Sequence, residues 1–382
     1  MTLSSALSGP KKNDITISKY YSYVSSLLCG DTHEWRPDLD EQAFIAFIDE
    51  HGVSCLVHRA LSRAGAFGAW PEALRAFLER ESRFFGFQSV LRKHEIERVL
   101  TLFKNAGISP ILLKGFPLSY TLYPEPYLRP GYDIDILIRH DRLETARKIL
   151  GDAGYRFPNA VSGEYVSHEC TAKRVDERGV EHALDLHWKI ANPLIFSELF
   201  SFDELSAAAR ELTAVRGGRT VTDATAFVYA CIHRVAHHHD SDRLLWLMDI
   251  DLLARGFDDS GWAEVLRIAS AKQVRGVCLR GLERAQAAFR TPIPEPVRAA
   301  LSEGAGTEPA APFLEGAAPR VTDIRSNLRT LKRPGEKLRY LRELAFPPAD
   351  YMLAKYGRPN KLFLPLLYAA RAASGLRKLF AR

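Results

Sequence analysis

Apolar side chains recur along this chain with two different periods. Over most of its length they return every three to four residues, which paints one stripe along a helix. Phe44, Ile45, Phe47 and Ile48 follow that spacing, as do Leu56, Val57, Ala60 and Leu61, with Gly52 as the break between two helices. Residues 64–70 are small and Gly-containing, as in a loop. Pro71 then opens a long helix that carries Leu74, Phe77 and Leu78, then Ile96, Val99, Leu100 and Phe103, and stops at Gly107. After the centre of the chain, a helix capped by Asp141 is predicted, with Leu143, Ala146, Ile149 and Leu150 facing inward and Gly151 and Gly154 ending it. Helical spacing returns over 202–212, 222–255, 262–290 (a pair) and 320–345, and the tail from Leu362 is apolar and basic.

Between about 108 and 190 the period drops to two. Pro110-Ile111-Leu112-Leu113 is a short apolar run ending in Lys114-Gly115. Asp133-Ile134-Asp135-Ile136-Leu137-Ile138 alternates, residues 165–174 alternate, 176–179 read as a turn, and Glu181 to Ile190 alternates again. Residues two apart on a strand share a face. Asp133 and Asp135 therefore point one way, and Ile134, Ile136 and Ile138 the other. Leu184, Leu186, Trp188 and Ile190 share a face opposite Asp185 and His187. Strand, loop, strand, helix, strand, strand is the order of a small mixed sheet with helices on one side. The fold class expected is α/β (α+β). The regions are a disordered tail (1–18), a helical region (19–107), the sheet-bearing core (108–220), a helical domain (221–302), a linker or exposed loop (303–319) and a basic helical region (320–382).

The alternation places chemistry on one face. Asp is depleted in strands, so two in one short strand need a reason. Their mutual repulsion is relieved by a proton or a cation between them. An all-oxygen donor set favours a hard cation, Mg2+ first where phosphates are also bound. Asp185 on a neighbouring strand would complete the set. Lys114 supplies positive charge, and Gly115 lets backbone N–H groups approach a phosphate. Arg129 either neutralises phosphate or pairs with Asp133. His187 points the same way as Asp185, to touch phosphate, fix a carboxylate or fill a polar rim.

The run LLKG, LYP, LRPGYDIDILI and then LDLHW resembles the DNA polymerase beta-like nucleotidyltransferase superfamily, and more narrowly its bacterial branch of uncharacterised nucleotidyltransferases. The resemblance implies Mg2+, with two ions and Mn2+ as an alternative, held by Asp133, Asp135 and Asp185. It implies an NTP co-substrate, transfer of a nucleoside monophosphate to an acceptor hydroxyl and release of pyrophosphate. Asp185 is the candidate base. The acceptor is open, a small molecule, sugar or peptide being favoured over RNA. Two alternatives stand beside it: phosphoryl or glycosyl transfer to a peptide or sugar at the same site, and a nucleotide-binding module without catalysis. Gly115-Phe116 departs from the Gly-Gly or Gly-Ser of the superfamily, removing a small or hydroxyl residue beside the phosphates.

Composition narrows this further. The 382 residues carry a formal charge of +6, suited to a polyanionic ligand. Five scattered cysteines without a CxxC argue against a zinc ribbon or disulfide framework, which points to a reducing cytoplasm. Neither a signal peptide nor a membrane span is expected. In CIHRVAHHHDSDRLLWLMDIDLL, His233 and His237 share a helix face, but no Glu follows His233, which excludes the zinc-protease pattern. Two readings remain: His233, His237 and Arg243 line a nucleotide groove opposite the sheet, or they cap the polar edges of a packed helix. The basic tail is compatible with peripheral membrane or RNA contact, or with ordinary packing, which is favoured.

Overall fold

The computed structural model describes residues 13–158, 165–315, 319–357 and 360–380. Helices α1 (Asn13–Cys29), α2 (Glu41–Glu50), α3 (Ser54–Arg63) and the long α4 (Glu72–Asn105) precede the sheet. The central part runs β1 (Ile111–Leu113), α5 (Gly115–Thr121), β2 (Asp133–Leu137), α6 (Leu143–Asp152), β3 (Glu169–Val175) and β4 (Glu181–His187). Two short helices, α7 (Leu194–Ser197) and α8 (Phe202–Ala208), lead to the two-residue strands β5 (Arg210–Glu211) and β6 (Arg219–Thr220). Then come α9 (Asp223–Ala236), α10 (Leu244–Arg255), α11 (Asp259–Ala271), α12 (Arg275–Phe289) and α13 (Glu295–Ser302). The chain continues with α14 (Pro319–Thr330), α15 (Pro334–Ala345), α16 (Ala349–Lys355) and α17 (Leu364–Phe380).

The sheet is mixed, in the order β3-β4-β2-β1-β6-β5. β2 lies parallel to β4 with Asp135 level with Asp185, and antiparallel to β1 with Leu113 level with Asp135. Alternation then divides the two faces. Leu112, Ile134, Ile136, Ile138, Leu184 and Leu186 bury against Ile96, Val99, Leu100 and Phe103 of α4 and Ala146 and Leu150 of α6. On the other face Ile111, Leu113 and Leu137 join a larger core shared with α1 to α4 and α9 to α13. Helices thus cover both faces of the sheet, not one, because Ile111, Leu113 and Leu137 sit on the same face as the aspartates and need cover of their own.

Several local expectations are corrected. Helix α1 begins at Asn13, within the stretch read as a tail: Asn13 to Ser18 holds no Gly or Pro to stop a helix. Residues 1–12 lie outside the described residues. Asp141 does not cap α6. It sits in a 3-10 turn and pairs with Arg139 at 3.2 Å, and α6 starts without a side-chain cap. The β3 strand starts only at Glu169, and the helix read over 202–212 ends at Ala208, where the chain turns to form the edge strand β5. The stretch read as a linker is tied down in its described part: buried Glu308 accepts the N–H groups of Arg275 and Gly276 at 3.0 and 2.9 Å and so caps α12.

Candidate active site

Period-two alternation carries Asp133, Asp135, Asp185 and His187 to one face of β2 and β4, and Glu169 and Thr171 of β3 stand level with His187 and Asp185. Asp133 is exposed at the start of β2, while Asp135 is buried. Asp135 Oδ1 accepts from Lys114 Nζ at 2.6 Å and from His187 Nε2 at 2.8 Å, and His187 Nδ1 lies 3.2 Å from Glu169 Oε2. Burial opposes ionisation of Asp135, but the Lys114 ammonium and His187 outweigh it and hold the carboxyl far below its usual range. Among the described residues Asp185 has no such partner on Oδ1. Burial, followed by the nearby charges of Asp133 and Asp135, pushes its carboxyl up to about 6 despite a Thr171 hydrogen bond.

Lys114 reaches Asp135 through a backbone bend. Its φ of +56° and ψ of −133° lie where a side chain other than hydrogen is strained, at the junction between β1 and α5. The next residue must be small for a reason the motif alone does not give. A Cβ on Gly115 would lie 1.8 Å from Arg129 Nη1. Arg129 cannot yield, because Asp249 grips it through both carboxylate oxygens, with Nη2 at 2.6 Å, and Tyr123 Oη donates to the same Asp249 at 2.8 Å. Of the two readings of Arg129, pairing with Asp133 is not what is found: its partner is Asp249 of α10, which is 2% exposed. Phe116 turns into the core, with Arg92 of α4 stacked 5.4 Å above its ring. It positions a cation rather than leaving a gap beside the Lys-Gly turn.

The opposite wall comes from the end of α9 and the start of α10. The stretch from Thr222 to Arg255 is two helices, not one. His239 and Asp240 take left-handed backbone, and fully buried Arg234 ties the turn by donating to the carbonyl oxygens of Asp240 and Ser241 at 3.0 and 3.1 Å. The turn stacks His233 on His237 (5.1 Å) and His238 on Trp246 (3.9 Å), with Arg243 5.1 Å over Trp246. Burial and then the Lys114 charge push the His237 imidazole down to about 3 and His238 to about 4, so both rings are neutral at pH 7.

These walls enclose a cleft of about 360 Å³ lined by Lys114, Arg92, Arg129, Asp133, Asp135, Asp185, Glu169, His233, His237, His238, Arg243 and Trp246. His187 stands behind Asp135. Its acidic floor and basic walls can take an anion and a cation together. Eight buried side-chain atoms lack a hydrogen-bond partner among the described residues, and five of them belong to residues lining this cleft: Ser54 Oγ, Arg92 Nε, Asp185 Oδ1, His237 Nε2 and Arg243 Nε. Such atoms each cost on the order of 1–3 kcal/mol, so the lining of this cleft concentrates polar groups that the described residues leave without partners. Among the described residues no three His, Cys, Asp or Glu side chains are preassembled around one metal position. The oxygen donors of Asp133 and Asp185 remain suited to a hard cation, and Lys114 now holds one oxygen of Asp135.

Arg92, Glu169 and Asp249 belong to this site without any motif to announce them. Arg92 lies four residues before Ile96 on the inward stripe of α4, and Asp249 interrupts an apolar run; a charge on an apolar stripe was the available signal in both. Glu169 shares its strand face with Thr171. A family model described as uncharacterised nucleotidyltransferase matches residues 37–290. No curated protein matches the chain.

Proposed function

We propose, from the premise that the chain belongs to the uncharacterised nucleotidyltransferase family, that the cleft over β2 and β4 transfers a nucleoside monophosphate from an NTP to the hydroxyl of an acceptor, releasing pyrophosphate. The observation that carries the reading is the convergence of Asp133, Asp135 and Asp185 with Arg92, Arg129 and Arg243 on one cleft.

Arg92 and Arg243 line the wall and set positive charge toward the triphosphate, and Arg129, fixed by Asp249, holds its charge over Gly115. Lys114 stands at the boundary between floor and wall, where its ammonium balances charge on phosphate oxygens as the α-phosphorus is attacked. In donor chemistry the residues suit Mg2+: Asp133, Asp135 and Asp185 would hold it once drawn around one position, Lys114 giving up its oxygen of Asp135, and Asp185 beside two further carboxylates calls for a positive charge. When bound, such an ion supplies Lewis-acid stabilisation to the phosphates and the attacking oxygen. Asp185, the carboxylate of the neighbouring strand, accepts the acceptor's proton. His187 and Glu169 keep Asp135 oriented behind it.

The test is NTP binding by calorimetry with and without Mg2+, and pyrophosphate release with a panel of sugars, peptides and RNA ends as acceptors. Asp133→Asn and Asp185→Asn should abolish Mg2+-dependent binding and cut turnover by about a hundredfold or more. Unchanged binding and turnover in both variants would remove the enzyme reading.

A further inference from the structure

The charge of this chain is unevenly divided. Residues 320–382 hold fifteen Lys or Arg against four Asp or Glu, a formal +11, while the whole chain is +6, so the preceding residues sum to −5. The same segment presents exposed apolar side chains. On α15, Leu338 and Leu341 lie three residues apart on the outer face, 70% and 42% exposed, and Phe346 follows at 62%. On α17 and the turn before it, Leu362 is 84% and Leu366 66% exposed. Contacts between the two helices are already made: the Phe346 ring, exposed on one side, meets Tyr368 at 5.6 Å on the other, Tyr368 Oη donates to Pro347 O at 2.6 Å, and Arg371 reaches Leu344 O at 3.3 Å. What remains outside is aliphatic side chain set among cations.

We propose that this C-terminal face docks on an anionic lipid bilayer surface, lying in the headgroup layer with Leu338, Leu362 and Leu366 inserted. Cationic helices with outward aliphatic residues bind there because acyl boundary covers the leucines while lipid phosphates neutralise the basic residues. No helix among the described residues is long and apolar enough to cross a membrane, so the contact is with one surface. A second copy of the same face is disfavoured by its own charge, +11 against +11. A nucleic acid would meet the charge but leave the leucines in water; single-stranded binding favours aromatic platforms, and the outward positions here are mostly leucine. The inference rests on the C-terminal segment alone and is independent of the reading of the cleft.

The experiment floats the full chain with vesicles of phosphatidylcholine, and of phosphatidylcholine with roughly a quarter phosphatidylglycerol. Protein is expected with the anionic vesicles and not with the neutral ones, and less of it as salt rises. Leu338→Glu, Leu362→Glu and Leu366→Glu should each reduce binding about tenfold, with unaltered thermal melting because each side chain is exposed. No flotation with anionic vesicles at physiological salt would overturn the proposal. So would flotation that persists when Leu338→Glu, Leu362→Glu and Leu366→Glu are combined, or binding of single-stranded RNA by a full chain that floats with neither vesicle.

Discussion

Lys114 is the residue on which the cleft turns. Its ammonium is buried with the Asp135 carboxylate in an ion pair at 2.6 Å, reached from a strained backbone. Burial alone would lower its affinity for the proton, but Asp135 more than offsets that and holds it charged. Removing one member of a buried pair leaves the other uncompensated. Lys114→Met should therefore cost about 3 kcal/mol of stability, moderated by the surviving His187 bond. Mn2+ should raise the melting temperature of this variant more than that of the unaltered protein, because the ion restores the positive charge beside Asp135. Equal shifts in a thermal melt would argue against a cation position there. Asp185 gives the opposite sign. Its folded-state carboxyl titrates near 6, above the unfolded value, so its contribution favours folding at low pH and is lost as pH rises through about 6. Without divalent ions, Asp185→Asn should stabilise the protein by on the order of 2 kcal/mol at pH 8 and by little at pH 4, measured by urea titration at each pH. The carboxylate pair was legible in the sequence because alternation fixes a face. The Arg129–Asp249 grip was not, since its partners lie 120 residues apart and only tertiary packing joins them.

At the scale of elements, the turn between α9 and α10 decides whether the cleft has a second wall. The apolar spacing of 222–255 is continuous enough to read as one helix, and His-His-His-Asp-Ser-Asp in its middle was the signal of a break. Helical period is preserved on both sides of the turn, so pattern alone does not place it. What places it is Arg234, 0% exposed, which bonds two backbone carbonyls and pairs with Asp240 and Asp242. Arg234→Met should release these groups, costing about 3–5 kcal/mol, and nucleotide affinity should fall with it because His237, His238 and Arg243 hang on that turn. Arg234→Lys keeps charge but loses the planar fork and should recover only part of both. A melting temperature within a degree or so of the unaltered protein would show that the turn holds itself. The order of β1 to β4 and the face of their aspartates were legible because a period of two is short and local; β5 and β6, two residues each, are too short to show one, and Ile190, beyond the end of β4, packs in the other core with Leu113 and Leu137. The cover on the second face was missed because Ile111, Leu113 and Leu137 become a core only when helices from distant parts of the chain arrive.

Across the whole molecule, two scales of packing coexist. The larger core unites α1 to α4 with α9 to α13 and one face of the sheet, whereas the C-terminal helices meet the rest over a small cluster centred on three buried residues, Leu194, Leu331 and Tyr340. One side chain carries much of that joint. Asn327 Oδ1 accepts the buried N–H of Leu194 at 2.9 Å, and its Nδ2 donates to Tyr340 Oη at 3.2 Å. The Glu343 carboxylate also accepts the N–H of Tyr165 at 3.0 Å. A unit with so little apolar burial opens at a lower free energy than the core it rests on. Amide exchange should therefore be faster over 319–345 than over α4 and α9, with the cleft strands protected. Asn327→Ala strands the Leu194 N–H and should lower the opening free energy of the C-terminal helices by about 1–2 kcal/mol, while exchange in β2 and β4 stays as it was. If β2 and β4 lose protection in step with α14 and α15, the C-terminal helices belong to the same cooperative unit as the cleft. Independent opening would instead let a basic, leucine-bearing face change its contacts without disturbing the carboxylates that hold the metal ion in our reading.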